Sequence, residues 1–297
     1  RYQYWFAAES PGLPVLVVRD MLPFVLASVG SALGTPAVES SLRLDELEHF
    51  RAVGIEPRVV AGVVEEFRRI KDDDELAALA RACAITAAAL VQLGTEMRPG
   101  MSEAIVARRL EMLFAELGAD DRAFDTIVGT GPFSAVPHHQ PGTRELSLGD
   151  LVVVDCGALV DGYHADMTRT FVVGDPHPWQ TELHALVAQS QAAATARYVP
   201  GAGTREIDAV AREVIESGGR GEEFTHGLGH VVGLRIHEAP FLGPRAAGTL
   251  SAGMAITVEP GVYLPGRGGV RIEDTLVVTE AGPRVLTEAS RDLIPVG

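Results

Sequence analysis

Cysteine is almost absent from this sequence, since Cys83 and Cys156 are the only two among 297 residues. Two thiols cannot build the disulfide framework of small secreted domains, so a hydrophobic core has to supply the stability, and we expect a reducing, cytoplasmic compartment. Hydrophobic residues make up 46% of the chain and charged residues 22%, which is typical of a folded globular protein and not of a disordered one.

Positive charge is also scarce. The sequence has 25 Lys and Arg residues against 40 Asp and Glu residues, a formal net charge of -15. Nucleic acids and anionic membranes would repel such a chain at long range, so we expect neither as a partner. Long hydrophobic runs are lacking too: Leu13–Val18 and Leu151–Val154 are far shorter than the roughly 18 residues that span a bilayer. An acidic chain would instead attract metal ions and free amines.

The pattern along the chain predicts a small domain followed by a large one. Residues 1–70 mix short apolar runs with Pro and Gly, which indicates a small α/β segment, and a chain that opens at Arg1 without Met leads us to expect missing sequence before it. Apolar spacing then predicts helices over 73–93 and 102–117, followed by strands, two more helices and further strands. Within the large domain, a Pro-Gly pair precedes one of the first helices and another precedes one of the later helices. This repetition suggests that the domain consists of two similar halves that face each other.

Two aspartates are predicted to meet across a hairpin. In LVVVDCGALVDGYHADMTRTFVV, the pair Asp161-Gly162 favours a two-residue turn, and opposed residues then have numbers that sum to 323. Asp155 is diagonal to Asp166 in this register, on the same face and roughly 7–8 Å away. A charge at the end of a run of valines needs a partner, and a metal ion is the natural one.

Two glutamates have similar settings. Glu259 follows the apolar run MAITV, and Glu273 lies inside VRIEDTLVV. Together with the two aspartates and one imidazole, they would neutralise two divalent cations, the arrangement used by hydrolases with two metal ions.

The histidines of HGLGHVVGLRIHE, residues 226–238, cannot belong to a zinc-binding helix, because three glycines disfavour a helix there. On an extended segment His226 and His230 share a face, whereas His237 has the opposite parity unless Gly233 introduces a bulge or turn. We expect one imidazole to bind metal and the others to move protons or bind substrate oxygens.

Taken together, HGLGHVVGLRIHE, DCGALVDGYHADMTRTF, VEPGVY and RIEDTLVVTE resemble the pita-bread metallopeptidases, and among them the Xaa-Pro peptidases, aminopeptidase P and prolidase. The resemblance covers residues 70–290. It implies an α+β fold, with a pita-bread (creatinase/aminopeptidase) catalytic domain over 71–297. It also implies that residues 1–70 are a shortened creatinase-like domain, since relatives usually carry a longer one.

The resemblance assigns a metal ligand set. It implies that one metal is bound by Asp155, that Asp166 and Glu273 bridge two metals, and that His230 and Glu259 complete the second. The ions implied are two divalent cations, Mn²⁺ first and Co²⁺ or Zn²⁺ as alternatives.

The resemblance also assigns catalytic residues. Glu259 would serve as the general acid and base for the water between the metals. His237 would stabilise the tetrahedral intermediate, and His226 would line the substrate pocket. His138 stands at the position of a further family histidine, whereas the adjacent His139 matches nothing. Arg271 matches an arginine of the Xaa-Pro branch and would orient Asp155 or the substrate.

These residues imply an exopeptidase that cuts between an N-terminal residue and proline in di- or oligopeptides, as a homodimer. The short N-terminal segment favours dipeptides. A methionine aminopeptidase is the first alternative, although His follows the second bridging Glu in that branch and Asp274 stands here. Creatinase-type hydrolases share the fold without all five ligands. A non-catalytic pita-bread module that binds peptides would have lost ligands that this chain keeps.

Overall fold

A computed structural model describes residues 20–29 and 34–297 of the chain. The apolar run Leu13–Val18 lies outside these ranges. The chain divides into two compact units between Val64 and Glu65. The assignment of 1–70 and 71–297 to two domains of the kinds named above stays a prediction.

In the first unit the described residues form two helices and a small parallel sheet. The helices span Met21–Val29 and Leu44–Ala52, and the strands are β1 (Ala37–Glu39) and β2 (Arg58–Val60). A parallel pair requires a crossover connection, and the second helix supplies it. A further helix, Val63–Arg68, leads into the second unit.

The second unit contains four long helices, and all four lie where the apolar spacing predicts them. They span Asp73–Glu96, Glu103–Glu116, Pro178–Thr195 and Thr204–Ser217. The first begins at a capping box, in which Asp72 and Glu75 each accept a hydrogen bond from the backbone N–H of the other. Ser102 caps the second helix by accepting from the N–H of Ile105.

The Asp73–Glu96 helix is long and apolar enough to cross a membrane, judged by length and composition alone. Half of its apolar stretch is buried inside the protein. Leu79, Leu90 and Leu93 are almost completely buried, so the hydrophobic face of this helix packs in the core.

Fourteen strands accompany these helices in the second unit: β3 (Asp121–Arg122), β4 (Ile127–Thr130), β5 (Leu151–Cys156), β6 (Ala158–Val160), β7 (Tyr163–His164), β8 (Met167–Val173), β9 (Gly229–Val231), β10 (Glu238–Leu242), β11 (Ala255–Val258), β12 (Gly261–Leu264), β13 (Gly268–Arg271), β14 (Asp274–Thr279), β15 (Gly282–Val285) and β16 (Ile294–Val296). The two larger sheets have the orders β16-β8-β5-β4 and β10-β9-β11-β14-β15. Antiparallel pairing predominates in both, as an α+β fold requires.

The two halves of this unit repeat one plan, as predicted. Each half has two helices followed by an antiparallel trio, β4-β5-β8 in the first and β9-β11-β14 in the second. Asp155 lies near the end of β5 and Asp166 directly before β8. Glu259 follows β11 and Glu273 directly precedes β14, which are the equivalent places. The fold thus places one pair of carboxylates from each half at equivalent positions.

The predicted hairpin register is confirmed. Asp155 pairs with Thr168 and Leu159 with His164, so opposed residues have the expected sum. Asp161 and Gly162 have φ values of 50° and 80°, and left-handed backbone at both central residues is the mark of a type I′ turn.

The apolar run VRIEDTLVVT, which surrounds Glu273, is divided between two strands in the structure. β13 ends at Arg271 and pairs with β12, whereas β14 begins at Asp274 and pairs with β11 and β15. The chain therefore changes sheets at Ile272 and Glu273. This change of sheet is what lets the N–H of Glu273 donate to the carbonyl of Thr168, at 3.1 Å, and so join the two halves.

We predict that Gly157→Ala destabilises the fold by about 3 kcal/mol, the upper range for overpacking. A Cβ atom at Gly157 would lie 1.8 Å from the carbonyl oxygen of Ala165, so the strands bearing Asp155 and Asp166 would have to separate. Denaturant unfolding measures the change. Gly142→Ala is the matched control, because its Cβ would have only an ordinary contact at 3.5 Å. Equal stability of the two variants would contradict the close approach described here.

Candidate metal centre

One cavity of about 980 Å³ in the second unit collects every residue that the sequence nominates for the site. They come from segments far apart in the chain: His138, Asp155, Asp166, His226, His230, His237, Glu259, Arg271 and Glu273. Apolar residues of β10, including Phe241 and Leu242, form another part of the wall.

Three of these residues form a compact group of possible ligands. One ligand atom from each of Asp166, His230 and Glu273 lies within 4.8 Å of the other two, and all three side chains are buried. Nε2 of His230 is 3.4 Å from Oδ2 of Asp166 and 3.6 Å from Oε1 of Glu259. Four of the five predicted ligands are therefore adjacent.

The ring of His230 is oriented for binding a cation. Its Nδ1 lies 3.1 Å from the carbonyl oxygen of Val231, which can only accept, so Nδ1 carries the proton. Nε2 then presents a lone pair to the carboxylates. A backbone carbonyl behind the imidazole is the usual way in which proteins fix a metal-binding histidine.

Asp155, the fifth predicted ligand, is held from one side only. Its Oδ2 accepts a hydrogen bond of 2.7 Å from Arg271. Its Oδ1 is buried and has no hydrogen-bond partner among the described residues. A buried carboxylate oxygen without a donor is costly, and a cation would satisfy it.

Electrostatics at this centre disfavours so many charged carboxylates without a cation. Burial, and then the charge of Asp155, raises the pKa of Asp166 well above its ordinary value. Burial and the neighbouring Asp166 do the same to the pKa of Glu273. Burial raises the pKa of Glu259 to about 8, although Arg271 opposes this shift. By contrast, burial and His237 lower the pKa of His230 to about 4, so its imidazole is neutral at pH 7.

The donor set fits divalent metal ions. Carboxylate oxygens suit Mg²⁺ and Mn²⁺, and imidazole suits Zn²⁺ and other transition metals. Two such ions carry four positive charges, which four carboxylates balance. Among the predicted ligand atoms, Oδ1 of Asp155 is buried without a hydrogen-bond partner among the described residues, and Nε2 of His230 faces the carboxylates of Asp166 and Glu259.

A buried hydrogen-bond network supports one side of the centre. Arg271 donates to Asp155, to the hydroxyl of Tyr263 at 2.9 Å and to Thr168 at 3.0 Å. Nδ1 of His226 donates to the carbonyl of Gly227, so Nε2 accepts from Tyr263 at 2.8 Å. Burial, and then Arg271, lowers the pKa of His226 to about 3. His226 is therefore neutral and shares a network with Asp155.

His237 lies beside His230 in spite of its opposite sequence parity. Residues 233–237 form a bend between β9 and β10, which is the turn at Gly233 that the sequence left open. The rings of His230 and His237 meet edge to face with centroids 4.4 Å apart. Burial, and then His138, lowers the pKa of His237.

The two adjacent histidines at 138 and 139 have separate environments. His138 lines the cavity. Nε2 of His139 lies 2.8 Å from the carboxylate of Glu103, which is fully buried and also accepts from the N–H groups of Thr130 and Gly142. His139 thus ties down the loop that presents His138, although no motif marked it.

Several residues that touch the ligands were not found by reasoning from the sequence. The hydroxyl of Thr168 donates to Glu273 at 2.6 Å, and the hydroxyl of Thr257 donates to Glu259 at 3.4 Å. Tyr263 stands inside the quoted motif VEPGVY, which was the available signal. The threonines carry no such signal, because threonine is common in any strand.

The sequence and the fold of this chain are both similar to those of known peptidases. A model of metallopeptidase family M24 matches residues 77–280. The Xaa-Pro dipeptidase of Pyrococcus furiosus is 38% identical over 296 residues, 98% of this chain and 84% of that protein. A solved structure of the Xaa-Pro dipeptidase from Bacillus anthracis gives a TM-score of 0.95 at 36% identity, covering 99% of this chain and 84% of that one.

An X-Pro aminopeptidase from Thermotoga maritima has a TM-score of 0.91 at 31% identity, over 99% of this chain and 86% of that one. The predicted α+β pita-bread fold and the resemblance to Xaa-Pro peptidases are therefore confirmed.

We predict that metal binding at pH 7 releases protons. Glu259, with a pKa raised to about 8 in the metal-free protein, is mostly protonated at pH 7 and has to lose its proton to bind a cation. His230 is already neutral and contributes none. Metal affinity should accordingly rise with pH. Calorimetric titration with Mn²⁺ in two buffers of different ionisation enthalpy measures the release, which should be roughly one proton or more.

Glu259→Gln is the control for this measurement, because it removes a carboxyl group whose pKa is raised to about 8. Its proton release should be smaller by up to one. Identical heats in both buffers for the unaltered protein would contradict the raised pKa values.

Proposed function

This chain belongs to metallopeptidase family M24, and from that premise we propose that it hydrolyses the bond between an N-terminal residue and proline, with dipeptides preferred. The observation that carries the proposal is the convergence of nine nominated residues on one cavity. The relatives named Xaa-Pro dipeptidase and X-Pro aminopeptidase, similar over nearly the whole chain, support it.

The metal ligands in this proposal are Asp155, Asp166, His230, Glu259 and Glu273, which hold two divalent ions. Mn²⁺ is the ion that we favour, because four of the five side chains offer oxygen; Co²⁺ and Zn²⁺ are the alternatives. When bound, the ions act as Lewis acids and make hydroxide available at neutral pH. Arg271 fixes Oδ2 of Asp155 and leaves Oδ1 free for a metal.

Proton transfer is the role proposed for Glu259. Its carboxylate accepts a proton from the attacking water and returns it to the proline nitrogen as the C–N bond breaks. The proline nitrogen, like any leaving amine in peptide hydrolysis, needs this proton, and it leaves as a secondary amine. Thr257 donates to Oε1 of Glu259 and so helps to keep the carboxylate directed at the site.

The histidines of the cavity serve as neutral hydrogen-bonding groups in this scheme. The lowered pKa values of His226 and His237 mean that neither carries a charge at pH 7. A neutral imidazole of His237 can donate to the substrate oxygen as negative charge develops on it, which is the form of stabilisation that lowers a barrier most. His226 and His138 line the pocket beside the scissile bond.

Recognition of a dipeptide requires an apolar surface for proline and a cation for the terminal carboxylate. The cavity wall offers both, with Pro240, Phe241 and Leu242 next to Arg245. Arg69 also lines the cavity, but it is paired with Glu66, whereas Arg245 is exposed. We therefore assign the carboxylate to Arg245.

Neither alternative is favoured. Asp274, where a methionine aminopeptidase has His, is committed to an ion pair with Arg169. A peptide-binding module without activity would have no need of all five ligands. We further propose a homodimer in the cytoplasm, for which the family resemblance and two buried free cysteines are the support.

Substitution of two neighbouring histidines should separate metal binding from turnover. We predict that His230→Ala loses bound metal, because Nε2 is the free ligand atom. His237→Ala should keep its metal and lose kcat by ~10²–10⁴-fold, the usual loss for one electrostatic or acid-base group. Elemental analysis after dialysis and initial rates on a dipeptide give both values. His49→Ala, at an exposed position in the first unit, is the control. Equal metal loss in both variants would refute the division of roles.

A peptide panel tests the substrate class. We predict that Met-Pro is cleaved with a kcat/KM at least ~100-fold above Met-Ala, near the limit that one apolar pocket can discriminate. Met-Pro amide, which lacks the carboxylate for Arg245, should be poorer than Met-Pro. Chromatographic detection of free proline or alanine measures each rate.

The panel also distinguishes the alternatives. Efficient cleavage of Met-Ala with Met-Pro left intact would place the chain in the methionine aminopeptidase branch. No cleavage of any peptide by protein shown to contain metal would favour the binding module.

A further inference from the structure

An ion-pair cluster adjoins the cavity, and its anion is Glu238, the residue directly after His237. The carboxylate of Glu238 accepts from Arg68, from Nζ of Lys71 at 3.3 Å and from the N–H of Arg235 at 3.0 Å. The side chains of Glu238 and Lys71 are only 9% and 1% exposed. So deep an ion pair is costly to form, because both charges lose their hydration.

Lys71 is itself fixed at both ends. Its backbone N–H donates to the carbonyl of Gly253 at 3.0 Å. Its side chain packs directly on the backbone of Gly233, where a Cβ atom would lie 2.9 Å from Cε and 3.0 Å from Nζ. Gly233 therefore opens the space through which the lysine reaches Glu238.

The loop between β9 and β10 is tied to the unit at both of its ends. At Gly233 the carbonyl accepts from the N–H of His164 and lies 3.1 Å from Nδ1 of the same residue, and the N–H of Gly233 donates to Arg235 within the loop. At the far end Glu238 pairs with Val231 of β9, and the register shifts between Glu238 and Phe241. The ion pairs of Glu238 with Lys71 and Arg68 add side-chain contacts at this far end, directly next to His237.

We propose that Glu238, clamped by Lys71 and Arg68, is a positioning residue that holds the ring of His237 against His230. This inference rests on the role of His237 in the proposed function. Glu238, Lys71 and Arg68 do not line the cavity, so the clamp acts on the loop and touches neither the proposed metal ligands nor the substrate. Its removal should therefore lower kcat with little change in KM or in metal content.

The first test is Glu238→Ala, measured as metal-loaded protein. We expect kcat for Met-Pro to fall by roughly 10- to 100-fold, the loss that a displacement of about 1 Å can cause. KM should change by less than about threefold, with the same metal content per chain. A positioning role further requires that, in a His237→Ala background, Glu238→Ala causes almost no additional loss.

A second variant separates positioning from stability. Glu238→Ala alone leaves the buried ammonium of Lys71 without a partner, which should lower Tm. The double variant Lys71→Met, Glu238→Ala removes that charge, so its Tm should recover while its kcat stays low. Glu96→Gln is the matched control, because it breaks a partly buried pair with Arg109 that does not line the cavity, and its kcat should be unchanged.

Several results would overturn the inference. An equal loss from Glu238→Ala in the presence and absence of His237 would show that it acts elsewhere. Recovery of kcat together with Tm in the double variant would make the cluster purely structural, and loss of metal would assign it to the ligands. A wild-type kcat in Glu238→Ala with a low kcat in His237→Ala would refute the clamp but keep the proposed function. A wild-type kcat in His237→Ala would refute the role of His237 itself.

Discussion

Mutual repulsion among four carboxylates in one cavity is the constraint around which the second unit is arranged. Three of the four are buried, and the raised pKa values of Asp166 and Glu273 show how poorly the protein alone tolerates their charge. The polar groups around them leave Oδ1 of Asp155 without a hydrogen-bond partner among the described residues. Arg271 neutralises one side of Asp155, and Thr168 and Thr257 donate to the two glutamates without supplying charge. A divalent cation is the remaining means of balance, as the family of this chain implies.

The repeated plan explains how the chain can assemble such a site. In each half, one carboxylate lies at the end of a central strand, and another lies directly before the strand that pairs with it. The two antiparallel trios face each other through Glu273, whose backbone joins β8. The cavity therefore takes two of its four carboxylates from each half, and His230, the proposed histidine ligand, comes from β9 of the second half.

The hairpin of the first half was predictable from sequence down to its register, because a two-residue turn fixes every opposed pair and the side-chain period of a strand is two. Charged residues at the ends and centres of apolar runs nominated the carboxylates that the structure brings into one cavity, and apolar spacing and capping residues predicted the helices. These are local signals, which a single sequence contains in full.

What could not be predicted depends on contacts between distant segments. The bend that brings His237 to His230 is followed by Glu238, which pairs with Arg68 and Lys71 far away in sequence, and parity alone could not decide whether the chain turns at Gly233. The division of VRIEDTLVVT depends on which partner strands are available at each end. His139 gave no signal, because its role arises only when the buried carboxylate of Glu103 lies opposite it.

The joint supply of ligands by the two halves has a consequence for the resistance of the chain to unfolding. Cys83 and Cys156 are free, so no covalent bond between side chains ties the halves together among the described residues. If Asp166 from one half and His230 from the other bind one cation, as proposed, that cation links the two halves reversibly. The free energy of unfolding then depends on the concentration of free metal. A ligand that binds only the native state raises this free energy with the logarithm of the ratio of free ligand concentration to Kd. The Tm of this fold would therefore report the concentration of free metal around it.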